Sequence, residues 1–473
     1  MALADAEERV EAHSAALKKE LGLLDLVLIQ IVYVVGTIWV GTAAKLGHSQ
    51  LIFWLAAMLF FYLPQAAVVI DLSKRMPLEG GLYQWARFGL GELMGFMVAW
   101  NLWIYAVILI ATIGLVIGTN LSYAVGPTGS WMASNKTFIM FLNVFLLTAL
   151  IGLAALGLGV SKWLHNAGSV MLMLAFAVLI LLPFVHMARG TLPDYHPFAV
   201  AAPALTLFSL NVFGKMALGA LSGFEYVAVL AGETKDAART IAKATLIAAP
   251  IIAVMFILGT NAVLAFVPID QINLIGPIPQ VFRIGFGASG IGSMAAAIAI
   301  LLISGRTIAN MSIAFTGTTR MPMVAGWDNL LPNWFTKLHP RYRTPVNSIL
   351  FVGLVALVFG AVGIVGVGEQ EAFQLLENAS GIFYGLTYLI MFAIPLIGLR
   401  GVEPKPSLFL RVAAAWGFAV TLLYVVLSIF PIVDVASWLS FAAKISGVVI
   451  VMNLVGAGLF YAARRRRVVT VAA

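Results

Sequence analysis

The chain has 473 residues, of which 62% are hydrophobic and 10% charged, against roughly 45–50% and about 25% in soluble domains. Mean hydropathy is +1.01 and the apolar residues come in blocks of about 20 or more, which excludes a merely large-cored soluble enzyme and leaves a multispanning helical membrane protein. The absence of cysteine removes disulfides, thiolate metal sites and cysteine nucleophiles. The net charge of +8 sits in short clusters beside apolar blocks, so it reads as a topology signal and not as a nucleic-acid surface.

Residues 1–20 are acidic and polar and lack a basic region feeding an apolar one, so they read as a short cytoplasmic segment rather than a cleaved signal. Apolar blocks follow at 23–46, 51–73, 90–123, 137–158, 164–187, 203–231, 241–267, 284–319, 346–366, 373–399, 409–431 and 435–463. They predict an all-α integral membrane protein of about 12 transmembrane helices. The blocks at 90–123 and 284–319 exceed what a bilayer needs, and each predicts one long tilted helix. No soluble domain is inserted. The longest non-apolar stretch, 320–345, predicts short interfacial helices with Trp327 and Trp334 at headgroup depth.

Lys and Arg set the orientation. With the N-terminus inside, the loops on that side carry nearly all of the 28 cations, ending in the Arg464–Arg467 run. Only Lys45, Lys136, Arg189 and Arg283 fall outside, and Lys215, Arg306 and Lys444 fall within spans. The asymmetry predicts a multi-pass protein of the inner (cytoplasmic) membrane with both termini cytoplasmic.

Two glycine clusters mark candidate helix breaks, Gly36-Thr37-Ile38-Trp39-Val40-Gly41 in the first span and Gly219-Ala220-Leu221-Ser222-Gly223-Phe224-Glu225 in the sixth. If helices 1–5 and 6–10 are inverted repeats, the clusters occupy equivalent positions, and a break at mid-membrane frees backbone groups that only water, ions or substrate can satisfy. Close helix packing is the other reading of such glycines. Glu225, Lys215 and Arg306 are charges at depth, each costing about 2.5–3.5 kcal/mol at a helix centre, so an idle role is not expected of them. Lys215 and Arg306 read either as members of structural ion pairs or as partners of a substrate carboxylate. Glu225, beside unwound backbone in a partly dry cavity, is the candidate for gating and proton exchange.

Asp25, Asp71, Glu92, Glu377 and Lys444 lie near span ends and are expected to reach the interface. His13, His48, His165, His186, His196 and His339 fall in loops or at span ends, without metal-ligand spacing. Asn101, Tyr105, Asn310, Ser312, Asn378 and Ser380 either line a pathway or join helices, and Trp100, Trp103 and Tyr105 read as core packing. No phosphate-binding G-x-x-x-x-G-K-[ST] loop is present, so energy for transport must come from a gradient or from exchange. No catalytic constellation, metal site or cofactor site emerges. The expectation is a non-enzymatic secondary transporter, with a membrane channel or transport-inactive receptor as the alternative.

The segment Pro77-Leu78-Glu79-Gly80-Gly81-Leu82-Tyr83-Gln84-Trp85, with Gly89-Leu90-Gly91 and Gly95-Phe96, resembles the loop after span 2 in permeases of the amino acid-polyamine-organocation superfamily. So do Ser222-Gly223-Phe224-Glu225 with Gly232-Glu233-Thr234-Lys235-Asp236 and Arg239, and Arg320, Asp328, Leu331-Pro332 and Thr344-Pro345. The EGGLYQW wording and a span 2 broken at Phe60-Phe61-Tyr62-Leu63-Pro64 are similar to the glutamate/γ-aminobutyrate antiporter-like branch.

The resemblance implies a leucine-transporter type of fold with five-helix inverted repeats at 21–190 and 200–400, two peripheral helices at 407–463, and a basic tail at 464–473. It implies that Gly36, Thr37 and Ile38 with Leu221, Ser222 and Gly223 form the unwound site for an amino acid or small amine, moved by proton-coupled symport or exchange, with H+ or Na+ as candidate coupling ions. Three departures stand out: Ile38 where many relatives have a second glycine, Gly219 where relatives often have an aromatic gate, and no lysine in the Ser169–Leu179 stretch of span 5. Because Ile38 crowds the backbone, Lys215 or Arg306 is expected to supply the positive charge for a carboxylate.

Overall fold

The computed structural model describes residues 12, 17–76, 78–192, 195–287, 289–362, 369–398, 405–435 and 437–472. Most of segment 1–20, with His13, and also Pro77 and Arg400 lie outside these residues. Among the described residues, ten helices are long and apolar enough to span a membrane, an eleventh is bent by 42° at a break, and a twelfth is shorter. In chain order they are α1 (Leu23–Val34 and Thr37–Ala44), α2 (Gly47–Arg75), α3 (Glu92–Val125), α4 (Lys136–Leu156), α5 (Leu158–Ala188) and α6 (Leu207–Glu233). Then follow α7 (Ala237–Phe266), α8 (Gly290–Trp327), α9 (Val346–Val362), α10 (Glu369–Ile397), α11 (Leu408–Leu427) and α12 (Trp438–Ala472). Twelve spans match the apolar blocks read from the sequence.

Three expectations about helix ends are corrected. The second span is not broken before Pro64: residues Met58–Tyr62 adopt a π-helical turn and the helix runs on to Arg75. A wider turn accommodates the missing proline N–H and the ring's clash with the preceding turn. The long span 8 block divides at its start, where Pro277–Phe286 is a separate helix closed by Gly287 at φ +84°. At its other end α8 continues to Trp327, so Arg320 lies in the helix and is buried instead of belonging to an interfacial loop. The long α3 holds as one span, with a local interruption at Thr112.

Lipid-facing surfaces follow the 3.6-residue period, as with exposed Phe141, Val144 and Phe145 on α4. The centre is built differently. α5 packs along α8, and α10 packs along α3, two contacts that interchange when the helix numbers are shifted by five. This arrangement surrounds α1 and α6, the two helices that do not stay helical.

Candidate functional site

α1 loses its helix at Val35 (φ −74°, ψ 82°) and Gly36 (φ −76°, ψ 126°), and resumes at Thr37. α6 changes form three times: a π-helical stretch Lys215–Ala220, a break at Leu221–Gly223, then a 3-10 helix Phe224–Glu233. Gly223 sits at φ +117°, and a Cβ there would meet the Tyr33 ring and Val34, so the turn needs glycine. Its N–H donates to the Tyr388 hydroxyl at 2.9 Å. Leu230 leaves helical geometry (φ −99°, ψ 22°), so this stretch is two short helical pieces joined at a kink.

A cavity of about 120 Å³ lies against both breaks. Of the residues singled out from sequence, Gly36, Thr37, Ile38, Ser222 and Arg306 line it, whereas Leu221, Gly223, Lys215 and Glu225 do not. Arg306 Nη2 donates to the Val32 carbonyl at 2.8 Å and to the Val35 carbonyl at 2.5 Å, and Asn310 Nδ2 donates to Val32 and Tyr33 carbonyls at 3.0 and 3.1 Å. These are the carbonyls that the end of the first half of α1 leaves without helical partners. Arg306 Nε has no protein partner. The guanidinium therefore closes a helix C-terminus with one edge, and the residue also lines the cavity.

The aromatic departure at Gly219 has a steric explanation. Trp39 of α1 lines the cavity, and a Cβ at Gly219 would lie 2.5 Å from its indole. The aromatic wall comes from α1, and only glycine on α6 leaves room for it.

Glu225 lies behind the break, 1% exposed, and accepts hydrogen bonds from the hydroxyls of Tyr384 and Tyr388. Tyr388 also accepts from Gln65 Nε2 at 2.8 Å. Tyr384 lines the cavity, so it stands between Glu225 and the space beyond. Tyr384 stacks on Tyr105 and Tyr33 on Tyr226, with ring centroids 4.1 and 4.3 Å apart. Tyr33, Tyr105 and Tyr384 line the cavity; the sequence pointed to Tyr105 alone, because tyrosines at helical spacing look like ordinary core.

Lys215 is fully buried and donates to Glu377 Oε2 at 3.1 Å and to the Asn378 side chain. Glu377, expected to reach the interface, instead lines the cavity beside Phe373, Ser380, Gly381 and Tyr384 on one face of α10. In the structure Lys215 and Glu377 each lie eight residues into helices that begin at Leu207 and Glu369, hence at a common depth of roughly 12 Å, whereas the apolar blocks begin at 203 and 373 and hide the match. His165, expected at an interface, is 1% exposed inside α5 and hydrogen-bonded to Ser312 of α8 at 3.0 Å. α5 begins earlier than the apolar pattern indicates, which moves this histidine from an end into the helix.

The basic end of the bundle is sealed by charge. Arg320 makes a two-pronged pair with Glu233, with Nε and Nη2 at 2.9–3.0 Å from the carboxylate. Arg87 pairs with Asp328 at 2.7 Å, and Tyr83 also bonds Asp328. The chain ahead of α1 is strapped to the end of α6 by Glu20 N–H to the Glu233 carbonyl at 2.9 Å and Lys235 N–H to the Leu21 carbonyl at 2.9 Å. Glu79, in the loop after α2, is fully buried; one carboxyl oxygen accepts the Gly232 N–H at 2.7 Å and the other has no partner. Burial first, and the Glu233 carboxylate second, hold the Glu79 carboxyl well above the usual range, opposed by Arg320 and the Gly232 N–H.

A helical bundle with two helix breaks against one small cavity is the arrangement that secondary membrane transporters use. The chain belongs to the amino acid permease family, whose model matches residues 21–454. It is 29% identical over 395 residues to an uncharacterised transporter of Legionella pneumophila, covering 82% of each chain. It is 24% identical to the branched-chain amino acid permease BcaP of Bacillus subtilis, covering 77% of this chain and 80% of that one. The crystal structure of MhsT in complex with L-phenylalanine superposes with a TM-score of 0.65 at 14% identity, covering 87% of this chain and 98% of that chain. The fold is thus of the leucine-transporter type and the protein is a secondary transporter; family and fold do not favour a channel. The amino acid permease resemblance read from the three motifs holds.

Proposed function

We propose that the protein carries an amino acid or a related small amine across the cytoplasmic membrane, by proton-coupled symport or by exchange, with both termini in the cytoplasm. The observation that carries this reading is the shared cavity: both helix breaks and the Arg306 guanidinium line one small space. Residues 21–190 and 200–400 act as the two inverted repeats, with 407–463 peripheral. The substrate carboxylate meets the first-turn N–H groups at Thr37 and Ile38, which have no helical partners, and the Arg306 guanidinium beside them. Glu225 is the coupling group, exchanging its proton with the cavity through Tyr384. The basic end is then the cytoplasmic gate, in agreement with the distribution of Lys and Arg.

The test is counterflow in proteoliposomes against a panel of amino acids and amines, at two pH values, with and without sodium. Exchange of at least one amino acid or amine is expected, with a pH dependence that Glu225→Gln abolishes. Absence of counterflow for the whole panel refutes the transport reading, and an unchanged pH profile in Glu225→Gln removes Glu225 from coupling.

A further inference from the structure

The Lys215–Glu377 pair is asymmetric in a way that a purely structural ion pair is not. Lys215 is 0% exposed, does not reach the cavity, and has both Glu377 and Asn378 as partners. Glu377 keeps 12% of its side chain exposed, and the exposed part faces the cavity. Its hydrogen bond from Lys215 goes to Oε2, which leaves Oε1 open to an incoming donor. Across the same space the Val32, Tyr33 and Val35 carbonyls of the α1 break are already taken by Arg306 and Asn310. A ligand cation placed there would meet a guanidinium. Among the described residues Arg306 has no carboxylate partner within ion-pair distance.

We propose that Glu377 is the ammonium subsite of this cavity, with its free oxygen accepting from the ligand's amine, and that Lys215 is a positioning residue that holds the carboxylate's rotamer fixed. The cavity then has two opposed recognition groups, Arg306 for an anion and Glu377 for a cation. The selected class is small solutes that carry a protonated amine, zwitterionic or cationic, over their des-amino analogues. Lys215 already supplies one neutralising charge, so Glu377 recognises the ammonium mainly by a charge-assisted hydrogen bond rather than by bulk attraction. This deepens the transport reading and rests on it.

Glu377→Gln alone leaves Lys215 buried without a counter-charge and invites misfolding. The informative variant is Lys215→Met/Glu377→Gln, which removes both charges together. Purified wild type and double variant are titrated, by thermal shift and by competition in counterflow, with L-leucine, L-lysine and putrescine, and with 4-methylpentanoate as the des-amino form of leucine. Wild type is expected to respond to at least one amine-bearing probe and not to 4-methylpentanoate. The double variant is expected to lose about tenfold or more of its affinity for that probe, the size set by one hydrogen bond between charged groups. A folded double variant whose amine affinity stays within about twofold overturns this proposal alone. A double variant that does not fold moves the comparison to Glu377→Asp with Lys215 kept, where a shortened carboxylate is expected to weaken amine probes selectively, and equal affinity overturns the proposal. A wild type that binds 4-methylpentanoate as tightly as leucine overturns this proposal and leaves the transport reading standing, whereas a wild type that responds to none of these probes and to none of the wider counterflow panel removes both.

Discussion

The two ends of the cavity are closed by different chemistry. Toward the basic end, the way out crosses buried charge: Arg320 with Glu233, Arg87 with Asp328, and the unpaired Glu79. Toward the other face it crosses hydrocarbon, where Ile38, Leu115, Val116, Ile139 and Phe373 form one apolar cluster with Ile275 of the loop after α7. An apolar seam comes apart and re-forms at a cost set by area, without needing any particular partner. A buried ion pair resists separation more sharply, because each half is left as a charge in a poor solvent, and it re-forms in one geometry. One gate is therefore graded and the other switch-like, and only the second can respond to pH.

The largest effect is expected from breaking the charged gate on one side only. Arg320→Met leaves Glu233 and Glu79 as two buried carboxylates without a cation, a loss of about 3–5 kcal/mol for the closed arrangement. The chain has no cysteine, so Met311→Cys in the cavity wall is a unique reporter. Its labelling by a membrane-impermeant thiol reagent from the basic side should rise in Arg320→Met. The double variant Arg320→Met/Glu233→Gln should recover much of the closed population, because no charge is then orphaned. Equal labelling in all three would mean that this pair does not hold the gate.

Next comes Glu79. Its carboxyl is raised in the closed gate by burial and by Glu233, and opening the gate to water would return it toward the ordinary carboxylate value of about 4.3. The sign follows: the closed form binds the extra proton, so closure is favoured at low pH and weakens as pH rises through the raised value, by at most about 1.4 kcal/mol per pH unit for one proton. Thiol labelling from the basic side should increase with pH in the Met311→Cys protein, and Glu79→Gln should flatten that dependence at the closed end. A variant as pH-sensitive as its parent would assign the effect elsewhere.

How much of this was legible in the sequence depends on range. The twelve spans follow from apolar blocks, and the glycine clusters marked both breaks while also allowing close helix packing. Arg306 and Glu225 were visible because charge at depth is expensive. The roles of the other residues turn on tertiary pairing. Glu377 looked like a charge near a helix end until α10 turned it toward Lys215, and Arg320 looked like a loop residue because α8 runs on past a proline that the apolar pattern treats as a stop. Tyr33, Tyr384 and Tyr388 gave no signal at all, since nothing local separates a tyrosine that holds a carboxylate from one that fills a core.

The smallest expected effect tests the apolar side. Ile38→Val removes one methyl from the apolar cluster at that end, and such a change costs about 0.5–1.5 kcal/mol. Labelling of Met311→Cys from the side opposite the basic end should therefore rise about two- to tenfold, while labelling from the basic side does not rise. Because no charge is involved, the ratio of variant to parent should stay constant from pH 5 to pH 8 and from low to high salt. Raising the salt should, in contrast, reduce the difference between Arg320→Met and its parent only slightly, since buried pairs are poorly screened. A salt- or pH-dependent ratio for Ile38→Val would show that the two gates are coupled through the cavity charges. Arg306 would be the first residue to examine, because it binds the Val35 carbonyl three residues before Ile38.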